Sequence, residues 1–232
     1  MNYVLMSGSF TRMEIYQPII NFLNNHSLNN KTIAFVTADF NDYSSNDKYI
    51  KKIIKLFNDK KFTFSFVYTI DNRIDSNMMK KYIKDSDIVF LLGGDTLKQI
   101  KYINKYKLKN IIKEKNKVVI GMSAGAINMA KTVVLARDID DGIPNLSIYK
   151  GIGITDINIE PHCDFRNEEH WKDIEEASFY SDIIVMKDDC YVIVDNDIIN
   201  YYGSYVKMTN SSIYYKNNKC ILEDFLREIN YD

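Results

Sequence analysis

Two rhythms of apolar residues alternate along the first half of this chain. Short apolar runs at residues 3–6, 31–37, 88–92 and 117–120, and a run at 62–68 that alternates at first, read as strands. Between them, apolar positions recur three and four residues apart. Ile15, Ile19, Ile20 and Leu23 mark a helix over 13–23, and Ile50, Ile53, Ile54 and Phe57 one over 47–59. A shorter helix is expected over 77–84, and a longer one over 96–112 with a break near Lys107. Strands and helices alternating at these lengths predict βαβ units and a mainly parallel sheet, and continuously apolar strands predict helices on both faces. The expected fold is a doubly wound α/β domain over residues 1–232. Ligands of such sheets sit at the carboxyl ends of the strands. Ser7-Gly8-Ser9, Ala38-Asp39, Gly93-Gly94-Asp95-Thr96 and residues 121–125 all end strands and are expected on one rim.

Past the middle of the chain the grammar changes. Residues 132–135 read as a strand, 138–144 as an acidic loop, and 152–159 contain a strand ending at Pro161-His162. A helix is expected over 168–180 with Trp171, Ile174 and Phe179 inward. Residues 183–186, 191–194 and 198–202 read as strands joined by short acidic turns, 213–215 extends that run, and a helix over 222–229 closes the chain.

The stretch most pointed in its chemistry is Val118-Val119-Ile120-Gly121-Met122-Ser123-Ala124-Gly125-Ala126. A β-branched run ending in Gly-x-Ser-x-Gly is how a strand, a sharp turn and a helix are written when a serine must stand at the turn. Amides from Ala124 onward open the helix and can stabilise an oxyanion. A serine nucleophile needs a base to take its proton, and the chain has three histidines. His26 lies in the polar segment Asn24-Asn25-His26-Ser27 and reads as surface. His170 sits in a charged helical stretch and also reads as exposed. His162 follows a strand and a proline, as a residue posted at the sheet rim would. The acid that orients the histidine is not singled out by spacing: Asp138, Asp140, Asp141, Asp164, Asp188 and Asp189 all remain open. The Gly93-Gly94 turn places a second amide, that of Gly94, as an oxyanion donor if its strand neighbours the elbow.

Composition narrows the field. A hydrophobic content of 46%, a charged content of 26% and a formal net charge of -1 are ordinary for a globular protein and call for no nucleic-acid partner. Cys163, Cys190 and Cys220 form neither a disulfide framework nor a zinc pattern, so no metal is expected and a reducing, cytoplasmic compartment is. No apolar stretch reaches the roughly 18–20 residues that span a bilayer, and the first eight residues lack a signal-peptide pattern.

Taken together, Leu91-Leu92-Gly93-Gly94-Asp95-Thr96, Gly121-Met122-Ser123-Ala124-Gly125-Ala126, and Pro161-His162 with its following acidic helix resemble the dipeptidase E and cyanophycinase family of serine peptidases. That family has a fold similar to class I glutamine amidotransferases. The resemblance implies a small peptide substrate, no cofactor, Ser123 as nucleophile, His162 as base, and the amides of Gly94 and Ala124 as oxyanion donors. It moves the search for the acid beyond His162, to Asp188 first and Asp138 second. Asp95 and Thr96 beside the glycine turn, and Arg166 downstream of His162, complete the expected substrate-binding set. Asp95 is a departure, since the family often has Asn there, and its charge would oppose a developing oxyanion if it faced inward. Aspartyl specificity does not carry over, because Arg166, His170 and Lys172 stand among five acidic residues. A homodimer is left open. Two other readings compete: an α/β-hydrolase-type esterase using Ser123, Asp138 and His162 in that chain order, and a non-catalytic member that binds a small peptide or metabolite at the same rim.

Overall fold

Alternation of side chains within each central strand decides the layering. In β1 (Asn2–Met6), Tyr3 and Leu5 face one core while Val4 and Met6 face another. The same division separates Ala34 and Val36 from Ile33 and Phe35 in β2 (Lys31–Val36), and Val89 and Leu91 from Ile88 and Phe90 in β4 (Ile88–Leu91). In β5 (Val118–Met122) it separates Val119 from Val118 and Ile120. A strand apolar on both faces must be covered twice. Helices α1 (Gln17–Asn25) and α2 (Tyr43–Asp59) bring Ile19, Leu23, Ile53 and Phe57 to one side. Helices α3 (Ser76–Lys84), α4 (Thr96–Lys105), α5 (Lys109–Ile112) and α6 (Ala124–Ile127) bring Met79, Ile103, Ile112 and Ile127 to the other.

The computed structural model describes residues 1–8, 17–139, 142–215 and 218–231. Ser9, the 13–16 part of the first expected helix with Ile15, and Asp140 and Asp141 lie outside the described residues. Among the described residues, β3 (Phe64–Ile70), β10 (Tyr191–Asp195) and β11 (Ile198–Tyr202) complete a central sheet in the order β11-β10-β1-β5-β4-β2-β3. From β1 to β3 all pairings are parallel, and β10 and β11 extend the β1 edge antiparallel. The mainly parallel, doubly covered sheet is as expected. In this order β5 lies between β1 and β4, so the Ser7 and Gly93 ends flank the elbow.

A second sheet joins β8 (Asn158–Glu160) and β9 (Ile183–Met186), which run parallel, to an antiparallel series of β12 (Tyr205–Thr209), β13 (Ser212–Tyr215) and β14 (Asn218–Ile221). Helices α7 (Glu168–Ser178) and α8 (Leu222–Tyr231) pack on it around Trp171 and Phe225, both fully buried. A short ladder of β6 (Thr132–Leu135) and β7 (Ser147–Lys150) follows the elbow helix.

Several expectations need correction. The strands at 183–202 are not one run: β9 pairs in the second sheet while β10 crosses to the first. Periodicity reports which residues are buried and not against which partner. Helix α2 starts at Tyr43, a turn earlier than expected, because the Asp42 side chain accepts the Ser45 amide as an N-cap. Phe179 is 60% exposed, since α7 ends before it at Ser178 and the helical stripe no longer applies. Strands β7, β12 and β14 were not anticipated, although in β12 Val206 and Met208 alternate with more exposed neighbours. The break near Lys107 is present, with a left-handed φ of 55° between α4 and α5.

Candidate active site

β5 ends at Met122 and α6 begins at Ala124, so Ser123 alone makes the turn. Its backbone, at φ 49° and ψ -117°, lies where a non-glycine residue costs on the order of 1–3 kcal/mol. The surroundings hold it there: the Ser123 amide donates to Met6 O at 2.8 Å, and its carbonyl accepts the Ile127 amide at 2.9 Å. The helix presses so close to β4 that a Cβ on Gly125 would lie 2.2 Å from Leu91 O. That contact explains the second glycine of the elbow.

His162 follows β8 and Pro161, and Asp188 stands on the turn after β9. The Ser123 hydroxyl lies 2.9 Å from His162 Nε2, and His162 Nδ1 pairs with Asp188 Oδ1. With Nδ1–H donating to the carboxylate, Nε2 keeps its lone pair toward the serine. The group is open to water: the side chains of His162 and Asp188 are 36% and 68% exposed. At the adjacent end of β4, among the described residues neither the Gly94 nor the Ala124 amide meets a protein acceptor, which leaves both available to a bound oxyanion.

Asp138 lies elsewhere. Its Oδ2 is 3.8 Å from His170 Nε2, and Glu160 Oε1 is 3.3 Å from the same nitrogen. His170 is therefore buried, against expectation, because it carries two carboxylates inward with it. Burial by itself would lower its pKa, but the bond to Glu160 and the charges of Glu160, Asp138 and Asp173 outweigh that and raise it above the ordinary 6.5. A raised value in the fold means stabilisation that is full below 6.5 and lost as pH climbs through the folded value. The Tm gap between the wild type and His170→Gln is accordingly expected to narrow as pH rises from about 6 to about 9. A gap that stays constant would mean that His170 contributes packing and not charge. His26 is half-buried, with Nε2 3.0 Å from Asp195 Oδ1.

Asp95 caps α4 by accepting the Lys98 amide at 2.8 Å, and Lys98 Nζ lies 3.6 Å from its carboxylate and 3.3 Å from that of Asp39. The charge expected to oppose an oxyanion is thus engaged by a helix N-terminus and a lysine. Thr96 is buried in the first turn of α4, where its carbonyl accepts Asn128 Nδ2 at 2.9 Å. Arg166 is exposed and lines neither cleft at the serine.

Those two clefts lie on either side of the Ser123–His162 pair. The larger, about 840 Å³, is bounded by Gly94, Asp95, Thr96, Lys101, Glu160 and Ile143 among others. The smaller, about 490 Å³, is bounded by Ser45, Asn46, Tyr49, Met122 and Asp188. Glu160 and Tyr49 carried no sequence signal, since neither belongs to a motif. Burial raises the pKa of Cys163 and lifts that of Cys190 to about 12, so neither thiol is a nucleophile near neutrality.

A serine at a strand-to-helix turn, an imidazole at 2.9 Å and a mainly parallel sheet wrapped by helices define a hydrolase of the serine type. The chain belongs to peptidase family S51, whose family model matches residues 3–202, and it is a serine-type peptidase. Its fold is similar to that of a candidate peptidase E protein from Listeria monocytogenes EGD-e, at a TM-score of 0.63 and 19% identity, covering 87% of this chain and 97% of that one. It is also similar to a peptidase from an acI-B1 Actinobacterium, at a TM-score of 0.63 and 13% identity, covering 95% and 93%. No curated protein matches the chain in sequence. Among the described residues no helix is long and apolar enough to cross a membrane.

Proposed function

We propose that the protein hydrolyses an amide bond in small peptides, in the manner of dipeptidase E, through a Ser123–His162–Asp188 triad and an acyl-enzyme. The observation that carries this reading is the 2.9 Å contact between Ser123 Oγ and His162 Nε2, with Asp188 on the far nitrogen. Ser123 Oγ attacks the carbonyl carbon while its proton passes to Nε2. The resulting oxyanion is taken up by the Gly94 and Ala124 amides. Collapse breaks the C–N bond, and the imidazolium returns the proton to the departing amine. Water, deprotonated by His162, then cleaves the ester and frees the serine. The role of Asp188 is to hold the ring and stabilise the imidazolium. Clefts of this volume suit a ligand of a few residues. The cysteine pattern favours work in a reducing, cytoplasmic compartment.

The test is covalent. A fluorophosphonate is expected to label the wild type once, at Ser123, and to leave Ser123→Ala unlabelled. Labelling that survives in Ser123→Ala would remove Ser123 as the nucleophile, and no labelling of the wild type would remove the serine mechanism.

A further inference from the structure

Ser123 belongs to the first sheet, whereas His162 and Asp188 follow neighbouring strands of the second. The two sheets share no strand pairing, so contacts across the junction set the distance between them, among them the packing of α6 on β8. The end of β1 touches all three residues, one at a time. Met6 O accepts the Ser123 amide at 2.8 Å, Ser7 Oγ accepts the His162 amide at 2.9 Å, and the Gly8 amide donates to Asp188 O at 3.1 Å. We propose that Met6-Ser7-Gly8 is the positioning element of the site, with the Ser7 hydroxyl setting His162 against Ser123; this rests on the catalytic roles proposed above.

Ser7 is fully buried at the end of an otherwise apolar strand. A buried hydroxyl is costly unless bonded, and alanine would fill the same space without that cost. The hydroxyl finds one partner in the loop that carries the histidine and the other at the end of β9, the strand that leads to the acid. It accepts from His162 N–H and donates to Met186 O at 3.4 Å, the carbonyl that also receives the Cys163 amide at 3.0 Å. His162 itself has a left-handed φ of 57°, a conformation that persists in a non-glycine residue only when its neighbours hold it. By fixing the peptide before that residue, Ser7 sends the ring toward the elbow. On the other side, a Cβ on Gly8 would lie 2.7 Å from both Asp188 O and Asp188 Oδ1, so only glycine lets β1 come close enough to hold the acid. The Ser7 amide, bonded to Cys190 O at 2.9 Å, closes the same turn from its far end. Ser7 lines neither cleft, which makes it a positioning residue and not a catalytic one.

A displacement of the ring by about 1 Å can cost about 100-fold in rate. In Ser7→Ala, kcat is expected to fall by about 10- to 100-fold with KM changed by less than about twofold. A merely structural role would not move a second readout, the downfield proton resonance of His162 Nδ1–H bonded to Asp188. That signal is expected in the wild type and should shift or vanish in Ser7→Ala. Ser7→Cys, similar in size but a poor acceptor, is the second variant should alanine unfold the protein. The resonance does not depend on turnover. If the wild type hydrolyses no peptide and the signal is still lost in the Ser7 variants, the peptidase reading fails and the positioning role stands. An unchanged resonance in either folded variant overturns the positioning role.

Discussion

Replacing His162 by alanine is expected to leave a folded protein whose kcat is lower by about four to six orders of magnitude. The fold should tolerate the change because the ring is at the surface, 36% exposed, and what ties residue 162 to β1 is its backbone amide and not its imidazole. An exposed pairing such as that with Asp188 contributes only about 0–1 kcal/mol to stability. Turnover should not tolerate it. Without Nε2 at 2.9 Å, the Ser123 hydroxyl has no acceptor for its proton during attack, and the departing amine has no donor. The elbow and the two amides proposed to hold the oxyanion survive in this variant, so a small residual rate above the uncatalysed one should remain. Circular dichroism and thermal melting check the fold, and kcat on a panel of dipeptides checks the rate. Fluorophosphonate labelling of Ser123 should slow in parallel, because the same proton must leave the hydroxyl. Activity like that of the wild type in a folded His162→Ala would exclude the imidazole as base.

The Ser123–His162 pair was legible in the sequence for a local reason. Gly-x-Ser-x-Gly after an apolar run describes a strand-to-helix turn by chain geometry alone, and the steric contact of Gly125 with Leu91 O shows why the spacing is strict. Pro161-His162 was legible in the same way, as the end of a short strand. What stayed hidden depends on which strand meets which. Met186 and Tyr191 lie five residues apart, yet one ends a strand of the second sheet and the other begins a strand of the first. Ser7 read only as a strand end. Its contact with His162 spans 155 residues and leaves no periodic mark. His170 misled because a helix rich in charge reads as solvated. Its ring instead turns inward onto Glu160 and Asp138, a pairing that only the folded positions of β8 and the loop after β6 create.

The choice of acid yields the second large effect. In Asp188→Asn, kcat is expected to fall by about 100- to 1,000-fold, with Tm changed little. Loss of a triad carboxylate in a buried setting costs about 10⁴-fold, largely because the amide stabilises the wrong imidazole tautomer. Asp188 is 68% exposed, so water already screens its charge and can hydrate the imidazolium in its absence. The expected loss is smaller for that reason, and what remains of it reflects tautomer and ring orientation. Asp138→Asn should behave in the opposite way. Its carboxylate faces His170 and not His162, so kcat should stay within about threefold of the wild type while Tm falls. Measuring the two variants side by side separates the two chain orders of nucleophile, base and acid. Were Asp138→Asn the slower enzyme and Asp188→Asn near normal, the Ser123, Asp138, His162 order of an esterase-type site would hold, and the contact between His162 and Asp188 would be incidental to the chemistry.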